Sequence, residues 1–450
     1  MTANIGDSLA ILFREIDDEL CQDFIKSMSR APSPIASGES KEFESLSTFL
    51  SVDYPEDSQK IMSIFQQRSS AQIVDSDSVF ITLKNGKQVE IIYESYEKKD
   101  VFHIIRDRLA AGGFKDVFSA HTYTVRLMCR DEKEAVLGRQ SVCFSPLQGM
   151  EEQVKKGIEE HSELFKLVVR GIALPPEQID SPRKKYVQKF YFQTLQDYLE
   201  KNDLDQSDIL ILLKQLKNIL EEMHKKNRVH GDVKLDNVFL EENQCVLNDF
   251  DTTGKYGKAE NRGAIDYIDT TNFKHNIRTP LTDAFGYAMC VVKALLQKDF
   301  YGDVLEKRLN ILDDNMVNDL LINAKCNYLQ KFLEKHGLKD KVRFIQGLKL
   351  VLPNHEKIAS HPVFLKILKD NPSLKKQAIK ELEFIDKAFS MLQEIVRFDL
   401  EISEKFQEEN IKDFIKKAIS YSQDFFKRYD DILSEHVGFR SIVDEDGKLN

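Results

Sequence analysis

The segment Val229–Leu240 reads V-H-G-D-V-K-L-D-N-V-F-L and mixes polar side chains with large apolar ones. Its charged and amide members are Asp232, Lys234, Asp236 and Asn237. A buried strand does not hold that many charges, because each would lose its hydration, and an exposed loop does not need Val, Phe and Leu at this density. The pattern therefore predicts a loop with a polar working face and an apolar side that anchors it in a core.

Length and composition place the chain among globular proteins. At 450 residues it exceeds one ordinary core, so two or three domains are expected. The chain is 42% hydrophobic and 31% charged, which excludes disorder as its general state. Its net charge of −10 argues against a general nucleic-acid binder and leaves room only for a local basic patch.

The cysteines and the apolar runs indicate a cytoplasmic protein without a membrane span. The six cysteines are scattered at Cys21, Cys129, Cys143, Cys245, Cys290 and Cys326. No C-x-x-C pair is present, so they suggest neither a zinc site nor a disulfide framework, and a reducing compartment is expected. The N-terminus does not resemble a signal peptide, and no apolar run approaches the roughly 18 residues of a spanning helix.

The periodicity of apolar residues changes along the chain and predicts four regions. Residues 1–75 are expected to form a mostly helical N-terminal extension, because apolar residues recur near helical spacing at their start. Residues 76–193 carry strand patterns. Residues 194–300 are largely helical, and 301–450 are almost entirely helical.

Local signals predict individual elements within these regions. Val79–Leu83 and Val89–Tyr93 are β-rich runs around Asn85-Gly86, which predicts a hairpin. Glu151–Phe165 has helical spacing, whereas Phe165–Ala173 is expected to be a strand. Another helix is predicted by an apolar face that comprises Ile209, Leu212, Leu213, Leu216, Ile219, Leu220 and Met223.

Three motifs in this order resemble the protein kinase-like superfamily. His230–Asn237 (H-G-D-V-K-L-D-N) is similar to its catalytic loop, H-x-D-x-K-x-x-N. Seventeen residues after Asp232, Asp249-Phe250-Asp251 is similar to the metal-binding D-F-G. Asp283–Ala288 (D-A-F-G-Y-A) resembles the start of the buried helix whose Asp holds the catalytic loop's backbone. Each motif alone is weak, but together they are specific, and they cover about half of the chain.

The resemblance implies an α+β, bilobal protein kinase-like fold with a β-rich N-lobe, a helical C-lobe and an extra helical C-terminal region. It implies transfer of the ATP γ-phosphate to Ser or Thr of a protein. Asp232 would then be the catalytic base, and Lys234 would neutralise the γ-phosphate. Asn237 and Asp249 would hold Mg²⁺ or Mn²⁺, which take hard oxygen ligands.

The resemblance also implies a glycine-rich loop over the ATP phosphates. Ala110–Ala120 (AAGGFKDVFSA) is similar to it, with glycines at Gly112 and Gly113 and with Phe114 as a cap.

The cation that holds ATP has two candidates. Arg126 stands where the family's V-A-I-K strand places its lysine. Lys115 lies in GGFKDVF, which resembles the G-S-F-K loop of with-no-lysine kinases, and this similarity favours Lys115. The two are not interchangeable, because a planar guanidinium and an ammonium fill such a site differently. The pairing carboxylate is expected at Glu151 or Glu152, with Glu152 preferred.

Several positions depart from the family pattern. Gly231 replaces the Arg that normally reads a phosphate on the activation segment, which implies that this phosphorylation is not required. Asp251 replaces the Gly of D-F-G and adds a carboxylate. Asp269-Thr270-Thr271 stands at the A-P-E position, so the usual ion pair that ties this segment down is missing.

The segment 255–278 is basic. Its cations are Lys255, Lys258, Arg262, Lys274 and Arg278, with His275 among them. It is either a solvated loop or a site for a phosphate or polyanion activator that orders the segment in place of the missing ion pair.

Other functions stay open. H-G-D also occurs in small-molecule kinases of the superfamily, so a lipid or small-molecule kinase, or an AMP transferase, is one alternative; Lys234 favours a protein kinase. A pseudokinase binding module is another, although all the catalytic residues of the C-lobe are present. The divergent motifs also resemble kinases that intracellular bacteria inject into host cells, which implies a host protein as substrate and the host cytosol as location.

Overall fold

The computed structural model describes residues 46–70, 77–96, 99–111, 114–127, 134–180, 184–201, 206–241, 244–259, 263–264, 267–296 and 313–435. The helix predicted at the start of region 1–75 lies outside these residues, as do Gly112 and Gly113. The chain divides into a first unit, residues 1–149 with 176–190, and a second unit, residues 150–175 with 191–450. The architecture is mixed α+β, with a curled antiparallel sheet in the first unit.

The first unit is built on a seven-stranded antiparallel sheet. Its elements are α1 (Leu46–Asp53), α2 (Ser58–Ser70), β1 (Asp77–Thr82), β2 (Gln88–Tyr96), β3 (Lys99–Ala111), β4 (Lys115–Leu127), β5 (Glu134–Pro146), β6 (Glu177–Asp180) and β7 (Lys185–Lys189). The strand order in the sheet is β1-β2-β3-β4-β5-β7-β6. The predicted hairpin is confirmed as β1 and β2. Gly86 in its turn has φ 82°, a conformation that glycine adopts without a Cβ penalty.

Helices α1 and α2 supply side chains to one buried face of the sheet. Leu50 and Ile61 are fully buried there, and the Phe65 ring stacks on Phe102 with centroids 3.8 Å apart. A second apolar cluster includes Ile92 and Val187 from β2 and β7. The sheet therefore buries apolar side chains on both faces, which agrees with the β-rich runs of the sequence.

The second unit is mostly helical. Its helices and strands are α3 (Glu151–Lys166), α4 (Leu195–Lys201), α5 (Gln206–Lys225), β8 (Val238–Glu241), β9 (Gln244–Leu247), β10 (Gly257–Lys258), α6 (Thr270–His275), β11 (Ile277–Arg278), α7 (Pro280–Leu296), α8 (Asp314–Lys335), α9 (Val342–Val351), α10 (Pro362–Ile367), α11 (Pro372–Glu404) and α12 (Ile411–Glu435). Helices α5, α11 and α12 contact the buried helix α7. None of the described helices combines the length and the apolar character needed to cross a bilayer.

Two of the predicted helices are confirmed as α3 and α5, but the strand predicted at Phe165–Ala173 is wrong. The chain turns there, with Val168 at φ 57°, and Ile172 forms only an isolated bridge to Leu247. Only part of the apolar run that suggested a strand is buried: Val169 packs into the main core of the second unit, whereas Leu167 and Val168 are exposed. Periodicity alone does not separate these two cases when the apolar run is short.

Phe65→Ala is expected to weaken the first unit by about 3–5 kcal/mol, since it removes a fully buried ring and leaves a cavity beside Phe102. Hydrogen exchange of the β2 and β3 amides, followed by mass spectrometry, measures the local free energy of opening. Val52→Ala is the control, because Val52 is exposed on α1 and its change should stay within about 0.5 kcal/mol. Equal exchange in the two variants would contradict the prediction.

Candidate active site

A buried carboxylate on α7 organises the loop that the sequence singled out. Asp283 is fully buried, and its two oxygens accept hydrogen bonds from the backbone N–H groups of His230 and Gly231, both at 2.9 Å. The Nε2 of His224 lies 2.8 Å from the same carboxylate. Gly231 has φ 84°, which turns the chain so that both N–H groups face one acceptor. The role expected for the Asp of the D-A-F-G-Y-A motif therefore agrees with this geometry.

Three donors surround the carboxylate of Asp232. The Lys234 ammonium donates to Oδ2 at 2.6 Å, and the Asn237 amide donates to the same oxygen at 3.0 Å. The backbone N–H of Ala264 donates to Oδ1 at 2.6 Å. A carboxylate offers about four acceptor sites, so these contacts leave room for a further donor.

The charge of Lys234 is maintained by its neighbours. Burial opposes the ammonium, but the attraction of Asp232 outweighs it and raises the pKa of Lys234. Asp249 contributes to the same effect at longer range. A permanent positive charge therefore stands beside Asp232 at any physiological pH.

The orientation of Asn237 suits an oxygen-ligand cation. Its Nδ2 donates to the backbone oxygen of Asp232 at 2.8 Å, which directs the amide oxygen away from that loop. The backbone of Asp249 is in the left-handed region, with φ 64°, directly before the short turn Phe250–Thr252. A residue other than glycine is strained in this conformation. Among the described residues no group of three or more His, Cys, Asp or Glu could hold a metal, so a cation here would depend on the amide, one carboxylate, water and a ligand's oxygens.

Helix α3 packs on the D-F-D segment through its middle rather than its first turn. The His161 ring stacks on Phe250 at 4.0 Å, and its Nε2 lies 2.7 Å from the Ala173 carbonyl oxygen. A Cβ at Gly157 would lie 2.7 Å from the Asp251 backbone, so only glycine allows this approach. Glu152 lies exposed in the first turn of the helix. The assignment of Glu152 as the pairing carboxylate remains a prediction.

Sequence reasoning missed a second link between α3 and the loop. Arg228 is buried and donates through Nε to Glu160 at 2.8 Å, while its Nη2 lies 2.7 Å from Glu163. Arg228 directly precedes Val229, so this ion pair joins the helix to the start of the loop. A charged residue next to the motif was the only available signal.

The other predicted ATP-binding residues lie in the first unit. Phe114 is half-buried, and its carbonyl oxygen accepts from Leu147 N–H at 2.8 Å. Lys115 opens β4, with its ammonium 4.9 Å from the centre of the Phe144 ring. Arg126 lies near the end of the same strand, opposite Ala135 of β5. The two candidate cations are thus at opposite ends of β4.

Two carboxylates from distant parts of the chain meet at the N-terminus of α6. Asp269 caps the helix by accepting from Asn272 N–H at 2.9 Å, and Asp399 of α11 accepts from Thr270 N–H at 2.7 Å. Burial and the neighbouring Asp399 charge raise the pKa of Asp269 to about 7. The C-terminal helices therefore hold the segment in which the sequence lacked the expected ion pair.

Some cations of the basic segment 255–278 are buried or paired within the protein itself. Arg278 is buried next to Gly254, and Lys258 pairs with Glu408 at 3.4 Å between exposed side chains. Lys255 and Lys274 are exposed, while Arg262 lies outside the described residues. The polyanion site remains a prediction.

Comparison with known proteins adds no family assignment, because no family model matches this chain and no curated protein matches it significantly.

Asp269→Asn should change how stability depends on pH. The folded pKa of about 7 lies above the ordinary value of 3.8, so the carboxyl group contributes stability that is complete below about pH 4 and is lost as the pH rises to about 7. Asparagine still caps the helix but does not titrate. The difference in urea midpoint, variant minus parent, should therefore increase between about pH 4 and pH 7 in circular dichroism measurements.

The exposed Asp413→Asn serves as the control and should reproduce the parent's pH profile. A constant difference between Asp269→Asn and the parent across this pH range would show that the pair carries no raised pKa.

Proposed function

We propose that this chain is an ATP-dependent phosphotransferase of the protein kinase-like type, with a bilobal fold and Ser or Thr of a protein as acceptor. The observation that carries the proposal is the group around Asp232: a carboxylate beside a charged lysine and an amide, on a loop held by the buried Asp283. Phosphoryl transfer needs positioning and charge neutralisation more than covalent catalysis. These are the properties that this arrangement supplies.

In the proposed reaction, the acceptor hydroxyl donates a hydrogen bond to Asp232 and transfers its proton to this carboxylate. The hydroxyl oxygen forms a bond to the γ-phosphorus as the bond to the ADP oxygen breaks, and ADP leaves with that electron pair. The Lys234 ammonium is 2.6 Å from the Asp232 carboxylate. It can therefore hold this catalytic base in place and also neutralise charge on a phosphate oxygen.

Asn237 and Asp249 would bind Mg²⁺ or Mn²⁺, which would neutralise charge on the phosphates. The chain itself contributes the orientation of Asn237, through the two hydrogen bonds that its amide donates to Asp232. The cation for ATP is proposed to be Lys115, with Arg126 as the alternative.

Asp232→Asn should lower γ-phosphate transfer by at least about a hundredfold, because the amide cannot accept the acceptor's proton. Asparagine can still accept from Ala264 N–H, so the local fold should survive. The measurement is transfer from γ-labelled ATP to a protein mixture with Mg²⁺ or Mn²⁺. The matched control is Asp236→Asn, which removes an exposed carboxylate from the same loop. Equal transfer by the parent and Asp232→Asn would refute the assigned base.

Separate Lys115→Ala and Arg126→Ala variants decide which cation holds ATP. Lys115→Ala is expected to raise the KM for ATP and lower kcat by about tenfold or more, because the phosphates lose a charge-assisted contact. Arg126→Ala should have the smaller effect in the same assay. If Lys115→Ala keeps the parent's kinetics, the displaced-lysine alternative is excluded and Arg126 becomes the candidate.

The acceptor class and the transferred group remain alternatives within this proposal. Label from γ-labelled ATP in the product indicates phosphate transfer, whereas label from α-labelled ATP indicates AMP transfer. A lipid or small-molecule acceptor would take the label in place of protein. A binding module without catalysis would transfer neither label and would keep its cellular effect in Asp232→Asn.

A further inference from the structure

Helix α9 (Val342–Val351) exposes apolar side chains that a surface helix normally buries. Ile345 and Leu348 face inward and pack in a cluster with Phe332 of α8. Leu350 is 86% exposed and Val351 is 68% exposed. Single exposed apolar residues are ordinary, but here they are neighbours on one short helix.

The exposed residues share one side of the helix. Phe344, Gly347 and Val351 follow the i, i+3, i+7 spacing of a single face, and Leu350 lies one turn beyond Gly347. Phe344 is 42% exposed, and a side chain added at Gly347 would meet no heavy atom of the structure within 4 Å. The outer face of α9 therefore presents apolar side chains to solvent, with open space at Gly347.

This surface stands in the most basic part of an acidic protein. Residues 331–380 contain twelve Lys or Arg and four Asp or Glu, whereas the whole chain carries a net charge of −10. Exposed cations next to the apolar face are Lys339, Arg343 and Lys349. The Arg343 guanidinium lies 5.0 Å from the centre of the Phe344 ring, so charge and apolar surface are in direct contact.

We propose that α9 and the surrounding lysines and arginine form a docking surface for a membrane that contains anionic phospholipid. Aliphatic side chains on a helix parallel to the bilayer enter the boundary between headgroups and acyl chains, while adjacent cations bind the headgroup phosphates. A nucleic acid would be attracted by the cations but would not bury the exposed aliphatic side chains of Leu350 and Val351. The combination of cations with exposed aliphatic side chains favours lipid as the partner. This proposal is independent of the proposed catalysis.

The test is cosedimentation of the full chain with vesicles of phosphatidylcholine alone and with vesicles that also contain phosphatidylserine. Binding is expected only with phosphatidylserine and should weaken as salt is added, because the attraction is screened. Arg343→Gln combined with Lys349→Gln should bind about thirtyfold more weakly, at roughly 1 kcal/mol for each cation. Leu350→Ser combined with Val351→Ser should lose at least about tenfold, since less apolar surface is inserted.

Matched controls separate this surface from general charge and exposure. Lys412→Gln with Lys416→Gln removes two exposed lysines of α12, and Val52→Ser removes a valine that is 74% exposed on α1. Both should bind as the parent does. The substituted residues of α9 are all exposed, so circular dichroism spectra should match the parent's.

Three results would overturn the proposal: no binding to phosphatidylserine vesicles, equal binding to both vesicle types, or α9 variants that bind like the parent. Binding of RNA or of an acidic polypeptide that depends on Arg343 and Lys349, without vesicle binding, would assign the surface to another partner and would overturn it as well.

Discussion

The buried carboxylate of Asp283 is the interaction on which the candidate site depends. It satisfies two consecutive backbone N–H groups, of His230 and Gly231, at the point where the loop makes its tightest turn. Without an acceptor these donors would be buried and unpaired, at a cost of about 1–3 kcal/mol each. This anchor holds the backbone directly before Asp232, so it helps to position the side chains of Asp232 and Lys234.

Helix α3 reaches the same loop by two different kinds of contact. Close packing at Gly157 and the stack of His161 on Phe250 place the helix against the D-F-D segment. The ion pairs of Arg228 with Glu160 and Glu163 attach it to the beginning of the loop. Together these contacts make the position of α3 and the conformation of the D-F-D segment mutually dependent, which is a requirement for any site that must keep its ligands rigid.

The C-terminal helices help to hold the segment that follows the candidate site. Asp399 of α11 binds the N-terminus of α6, where the sequence had suggested a missing ion pair. The contact joins residues that are 129 positions apart. It also brings two carboxylates together in a buried place, and burial together with the neighbouring Asp399 charge raises the pKa of Asp269. A loop that looked unsupported in the sequence is therefore supported from a distant helix.

The sequence by itself determined the elements whose signals are local: the β1–β2 hairpin around Asn85-Gly86, the helices α3 and α5, and the loop 230–237 with its apolar anchors. Turn chemistry and periodicity act between near neighbours, so they can be read directly. It also marked the residues of the proposed site by type and spacing. The proposed activity rests on that resemblance and on the local geometry around Asp232.

Only the tertiary structure decided which of these residues meet. The contacts of Ala264 with Asp232 and of Asp399 with Thr270 join distant segments, and no local pattern encodes them. The same holds for exposure: Leu350 and Ile345 are similar aliphatic residues of one helix, yet one faces solvent and the other a core. The reason is physical, because burial depends on which surfaces the rest of the chain brings to a helix, and that is a property of the whole fold.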